Sequence, residues 1–130
     1  MNEEHITQDT HKELEDIQSF LEVVTGDEVN ELIERLSMLN SYMARTGYLL
    51  AVATADRDRA MAGVFAEHQK SILKMPATVS QKFINCLCDT ENYYVTWIER
   101  LNRACVHQGD NIRTQISFAK ENLSLTKRGY

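Results

Sequence analysis

Apolar residues recur along this chain at gaps of three and four and never alternate with period two, which predicts helices and no strands. Leu14, Ile17, Leu21 and Val24 form one stripe and place a first helix near residues 11–24. A longer stripe runs through Val29, Leu32, Ile33, Leu36, Leu39, Met43, Gly47, Leu50, Ala53, Ala60, Met61, Val64 and Ile72. Nothing forbids one helix across it, because the only proline, Pro76, stands where that helix would stop. The spacing therefore predicts a long helix over about 28–74 and a short one over about 79–88. Tyr94, Trp97, Ile98, Leu101, Cys105, Ile112, Ile116, Ala119 and Leu123 repeat the habit and predict a C-terminal helix over about 90–123. The tail 124–130 is expected to fray.

Three helix starts fit the Ser/Thr-x-x-Glu/Gln box, in which a side chain and a backbone amide satisfy each other: Thr10 with Glu13, Thr25 with Glu28, and Thr78 with Gln81. The two long helices differ in reach, about 70 Å against about 50 Å at 1.5 Å per residue. Either the longer one breaks, around Thr54–Arg59 or at Gly63, or another subunit covers its surplus apolar face. Ala44, Gly47, Ala51, Ala55 and Ala62 are small enough for a second helix axis to come close. We expect a homo-oligomer with those five residues at its interface. The fold class expected is all-α: a single domain over 1–130, an antiparallel bundle of about four helices with one or two long ones.

Composition adds bounds. A chain of 130 residues can bury its own core. No apolar run approaches the roughly 20 residues of a membrane span. Glu3, Glu4 and Asp9 do not fit the basic start of a signal peptide, so a cytoplasmic location without membrane contact is expected. On a helix Cys86 and Cys88 point about 200° apart and can share neither a disulfide nor a metal. With Cys105 they are expected to be reduced and mostly buried thiols. Charge is uneven. Residues 1–40 hold eleven acids against Lys12 and Arg35, a net −9, while the remainder is +4. The acidic arm 1–24 can pack on the body, mimic a polyanion or stay solvated.

The densest polar cluster is Arg100, Arg103, His107, Asp110 and Arg113, which follow one another by three or four and so share one side of a helix. Such a stripe suits an acidic docking surface on a partner or a phosphate backbone; Glu99–Arg103 and Asp110–Arg113 can also pair locally. A solvated face with those local pairs is the commoner reading of the stripe; three or four cations with an acid among them are few for nucleic acid, so a protein partner leads the binding readings. His107 and Asp110 lack the second helix of ligands that a carboxylate-bridged metal requires. Cys105 and His107 face apart. No Gly-rich phosphate loop, Gly-x-Ser-x-Gly or zinc spacing occurs. No catalytic residue, metal or cofactor is therefore expected. Tyr93, Tyr94 and Trp97 are read as core packing, Gln108 and Gly109 as a gap in the stripe for a crossing helix or a kink, with a buried register contact by Gln108 as the minor alternative, and Asp56–Arg59 as local pairs or the helix break.

The stretch Leu101-Asn102-Arg103-Ala104-Cys105-Val106-His107-Gln108-Gly109-Asp110, with Ile112-Arg113, Ile116-Ser117 and Lys120-Glu121, resembles the C-terminal helix of small helical proteins of bacteriophages and prophages. Tyr42-Met43-Ala44-Arg45-Thr46-Gly47-Tyr48-Leu49-Leu50-Ala51 is similar to their central helix. The likeness covers residues 40–122 and leaves the acidic arm aside. Those proteins mostly lack an assigned activity, and no site residue carries over. The likeness implies a phage or prophage origin and a place in the bacterial host cytoplasm. The function expected is a non-enzymatic protein-interaction module that binds, and in so doing inhibits, a host or phage protein. The alternative is a nucleic-acid-associated accessory factor in phage recombination or replication.

Overall fold

The computed structural model describes residues 4–24 and 26–127, and among them there are five helices and no strand. They are α1 (Gln8–Glu22), α2 (Val29–Glu67), α3 (Gln69–Leu73), α4 (Ala77–Leu87) and α5 (Asp89–Lys127). α2 and α5 are 39 residues each, about 58 Å long, and lie antiparallel. Arg113 of α5 reaches Asn40 of α2, Asn102 reaches Thr46, and Thr90 shares a cleft with Asp56. α1 fills one of the two grooves of this hairpin. It runs against α2, with Ile6 at Asp56, Glu13 at Arg45 and Phe20 at Tyr42. It runs along α5, with His11 at Tyr94, Gln18 at Trp97 and Leu21 at Gln108. α3 and α4 form a tip where the hairpin turns. The opposite end, where α1 hands over to α2, is the base.

The helix boundaries correct several expectations. α1 begins at Gln8 because Thr7 caps it, its hydroxyl accepting the Thr10 amide at 3.3 Å; Thr10 sits inside the helix. The box built on Thr25 lies outside the described residues, and Glu28, which precedes α2, makes no capping bond with its side chain. α4 starts at Ala77 straight after Pro76, whose missing N–H costs nothing at a helix start, and Thr78 is its second residue. α2 passes through Thr54–Arg59 and Gly63 unbroken, helped by an Asp56–Arg59 pair at 2.6 Å. It breaks at His68, where φ −113° and ψ 22° depart from the helix before α3 begins. Ser124, Leu125, Thr126 and Lys127 belong to α5 rather than to a frayed tail, and residues 128–130 lie outside the described residues. The two long helices are thus equal, and the surplus length becomes the tip.

Leu14, Ile17 and Leu21 of α1 close the core against Leu32, Leu39, Leu49 and Ala53 of α2 and Val95, Ile98, Leu101, Cys105, Ile112 and Ile116 of α5. Val24, 93% exposed, does not extend the α1 stripe, since the helix has ended at Glu22. On α2 the buried sector is centred on Leu39, Thr46 and Ala53, a seven-residue repeat, because this helix faces α1 and α5 at once. Gly47, placed on the stripe by spacing, is exposed; Leu49 and Val52 take its role. Thr46 is the buried polar residue of the core. Its hydroxyl donates to the Tyr42 carbonyl at 2.7 Å and accepts from the Asn102 amide at 3.0 Å, so burial leaves it satisfied.

Candidate functional site

The polar stripe of α5 is solvent-facing throughout: Arg100, Arg103, His107, Asp110 and Arg113 are all exposed. Arg103 donates to Glu99 at 2.8 Å, and Arg113 donates to Asp110 at 3.1 Å and to Asn40 at 3.4 Å. Of the small residues on α2, Ala44, Gly47, Ala51 and Ala62 are exposed and Ala55 is half-buried. A methyl group placed on Gly63 would meet nothing within 4 Å, and one on Gly47 only the Asn102 amide at 3.7 Å. Neither glycine is required by packing between elements of this chain.

Part of each set lies on the same side of the molecule, Gly47 and Ala51 on α2 and Arg103, Asp110 and Arg113 on α5. At about 100° per residue, Gly47 is about 160° around α2 from Arg45, which grips α1. Arg103 is likewise about 140° around α5 from Gln108, which holds the end of α1. Both therefore flank the groove of the α2–α5 hairpin that α1 leaves uncovered. Asn102 sits between them, half-buried, its amide donating to the Met43 carbonyl and the Thr46 hydroxyl. Arg100 and His107 sit further round, toward open solvent.

The other groove is closed by polar contacts that no spacing in the sequence announces. Arg45 holds Glu13 through two hydrogen bonds, 2.6 and 3.0 Å, and this pairing raises the guanidinium's already high pKa. The Tyr48 hydroxyl donates to Glu4. At the end of α1, Gln108 donates to the Leu21 carbonyl and accepts from Arg35, both at 2.9 Å. Arg35 donates also to the Phe20 carbonyl at 3.1 Å and lies 4.3 Å above the Phe20 ring. Side chains of α2 and α5 thus satisfy carbonyls that a helix end leaves free. Trp97 donates to Gln18 at 3.1 Å, Tyr94 and His11 pair at 2.8 Å, and Tyr93 is 58% exposed. Two of the three aromatics therefore serve the α1 seam, while the third faces solvent.

Between the N-terminal segment, α2 and α5 lies a cleft of about 330 Å³, bounded by Ile6, Ala53, Asp56, Thr90, Glu91 and Tyr94, with His5 and Arg59 at its rim. Asp56 is its centre. The carboxylate accepts the Ile6 amide at 2.9 Å, His5 Nδ1 at 2.7 Å and Arg59 at 2.6 Å. Burial pushes this carboxyl upward, but the three donors outweigh it and hold it below the ordinary aspartate range. With its lone pairs engaged this way, Asp56 acts as a clip on residues 5 and 6 rather than as a free base. The contact joins residues fifty positions apart, and only the odd run Asp56-Arg57-Asp58-Arg59 hints at it in the sequence.

Cys88 and Cys105 are buried free thiols, and burial pushes both above the usual thiol range. Cys86 is exposed, the exception among thiols expected to be mostly buried. Among the described residues no three His, Cys, Asp or Glu side chains gather in a way that could hold a metal, and no helix is long and apolar enough to cross a membrane. No protein-family model, curated protein or solved structure matches this chain.

Proposed function

We propose that this chain is a non-enzymatic helical module that binds a partner protein along the uncovered face of the α2–α5 hairpin. One observation carries the reading: Gly47 and Ala51 of α2 and Arg103, Asp110 and Arg113 of α5, all exposed, border the same open groove, on the side away from α1. A helix laid there would approach closest at Gly47 and Ala51 and meet Arg103 and Asp110 at its rim. That is the arrangement of a close-packed helix pair bordered by polar groups. The likeness of residues 40–122 to phage and prophage helical proteins supports a host or phage protein as the partner, with inhibition of that protein as the outcome. Accessory work on nucleic acid is the weaker reading, since Arg103 and Arg113 already share their charge with Glu99 and Asp110.

A photo-crosslinking residue at Ala51, used in bacterial cells, should yield one discrete protein adduct. The same residue at Ser19, on the outer side of α1, should not, and Gly47→Leu should abolish the adduct at Ala51. If the purified protein instead binds a labelled oligonucleotide with steep salt dependence, and Arg100→Glu with Arg103→Glu removes that binding, the protein-partner reading fails in favour of nucleic acid.

A further inference from the structure

The two ends of the bundle carry open apolar surface of opposite charge. At the tip, α4 has no buried residue. Leu73, Val79 and Leu87 are 70%, 50% and 49% exposed, and Phe65 at the end of α2 is 42% exposed. Residues 68–88 contain Lys70, Lys74 and Lys82 and no acid, with Glu67 and Asp89 bordering them. At the base, α1 stops at Glu22, and the groove it occupied continues without it along α5. There a hollow of about 390 Å³ is lined by Asp27, Leu32, Gln115, Phe118 and Ala119, among others, with Phe118 64% exposed. Residues 22–34 contain Glu22, Asp27, Glu28, Glu31 and Glu34 and neither Lys nor Arg.

Apolar surface of this kind marks a contact when something complementary exists to cover it. The chain cannot cover itself: Leu32 and Phe65 stand about 50 Å apart along α2. We propose that the tip of one copy docks into the base groove of another, α4 lying along α5 between Ile112 and Asn122. Lengths match, about 16 Å for the 11 residues of α4 and about 15 Å for that stretch of α5. Charges match as well, with Lys74 and Lys82 of one copy meeting Glu28 and Glu31 of the next. Pairing base with base would oppose two runs of five acids, offset in part by Lys120 and Lys127 of α5, and pairing tip with tip would oppose two sets of three lysines. Electrostatics thus selects the head-to-tail arrangement. Such a contact does not close on itself in pairs, so the assembly grows as a chain of copies. These surfaces are distinct from the side groove of the previous subsection, and the two proposals stand or fall separately.

Two exposed positions give the test. Leu87→Asp blocks the tip and Phe118→Asp blocks the base, and both side chains are exposed in the single copy. By light scattering the native protein should exceed 14.9 kDa increasingly with concentration, and more so at low salt. Each variant alone should remain at 14.9 kDa, and an equimolar mixture should form a pair of twice that mass and nothing larger. As a second route, Lys74→Glu with Lys82→Glu should prevent assembly, and mixing with Glu28→Lys plus Glu31→Lys should restore it. A native protein that is monomeric up to about 1 mM, variants that still assemble alone, or blocked variants that ignore each other would overturn the proposal. None of those results bears on crosslinking at Ala51.

Discussion

Thr46 and Gly47 are neighbours with opposite fates, and the difference shows what residue type alone conveys. Spacing favoured the glycine for the core, yet the buried position belongs to the threonine, because Tyr42 and Asn102 satisfy its hydroxyl. A polar residue with partners on two helices has no signature in a linear pattern. Gly63 offers a simpler case. It lies about one turn before the end of α2, exposed, with open space where a side chain would be. Gly63→Ala should stabilise the protein by about 0.5–1 kcal/mol through reduced unfolded-state freedom and better helix propensity; a lower melting temperature would show that the glycine serves a contact. Asp56 makes a pH-dependent contribution. Its folded pKa is depressed, so the stabilisation is complete above the unfolded value of about 3.9 and is lost as pH falls through the folded one. Asp56→Asn should cost about 1–2 kcal/mol at neutral pH, and urea titrations below the folded pKa should show the gap closing. A gap that persists there would mean that the side chain acts through shape, not charge.

At the scale of elements, α1 separates two kinds of sequence signal. The excess of acids in residues 1–24 left docking, mimicry and solvation open and favoured solvation, whereas the spacing of Leu14, Ile17 and Leu21 specified a face, and all three are buried. Charge says which side of a helix points outward. It does not say whether the helix docks. The start of α1 was misplaced by three residues because Thr7 and Thr10 both fit a capping position; the clip of Asp56 on His5 and Ile6 orders the chain upstream and decides for Thr7. Pro76 was legible as a stop, since its ring forbids continuation. The break at His68 was not, because no Gly or Pro marks it and the turn into α3 is set by packing at the tip. Removing residues 1–24 strips three core side chains, each worth about 2 kcal/mol of burial. That total approaches the stability of an ordinary domain. The truncated protein should therefore lose its near-UV circular dichroism and its cooperative urea transition, whereas an arm lying free in solvent would leave both intact.

For the whole molecule, the all-α class and the two long helices were readable because a 3.6-residue period sustained over dozens of positions admits few alternatives. The groove that α1 chooses was not, since it depends on Arg45, Gln108 and Asp56 reaching side chains and carbonyls far away in sequence. That choice sets the character of the surface: one side sealed by hydrogen bonds, the other left small and polar, the ends apolar. It also has an optical consequence. Trp97 is the chain's single tryptophan, and its indole N–H is held by Gln18 of α1 with the His11 ring 5.5 Å away. The molecule is therefore singly labelled by nature, at the seam between α1 and α5. Its indole emission reads the seating of α1 and carries no direct signal from the tip, so undocking of the first helix and loosening of α4 are separable in one cuvette without a dye.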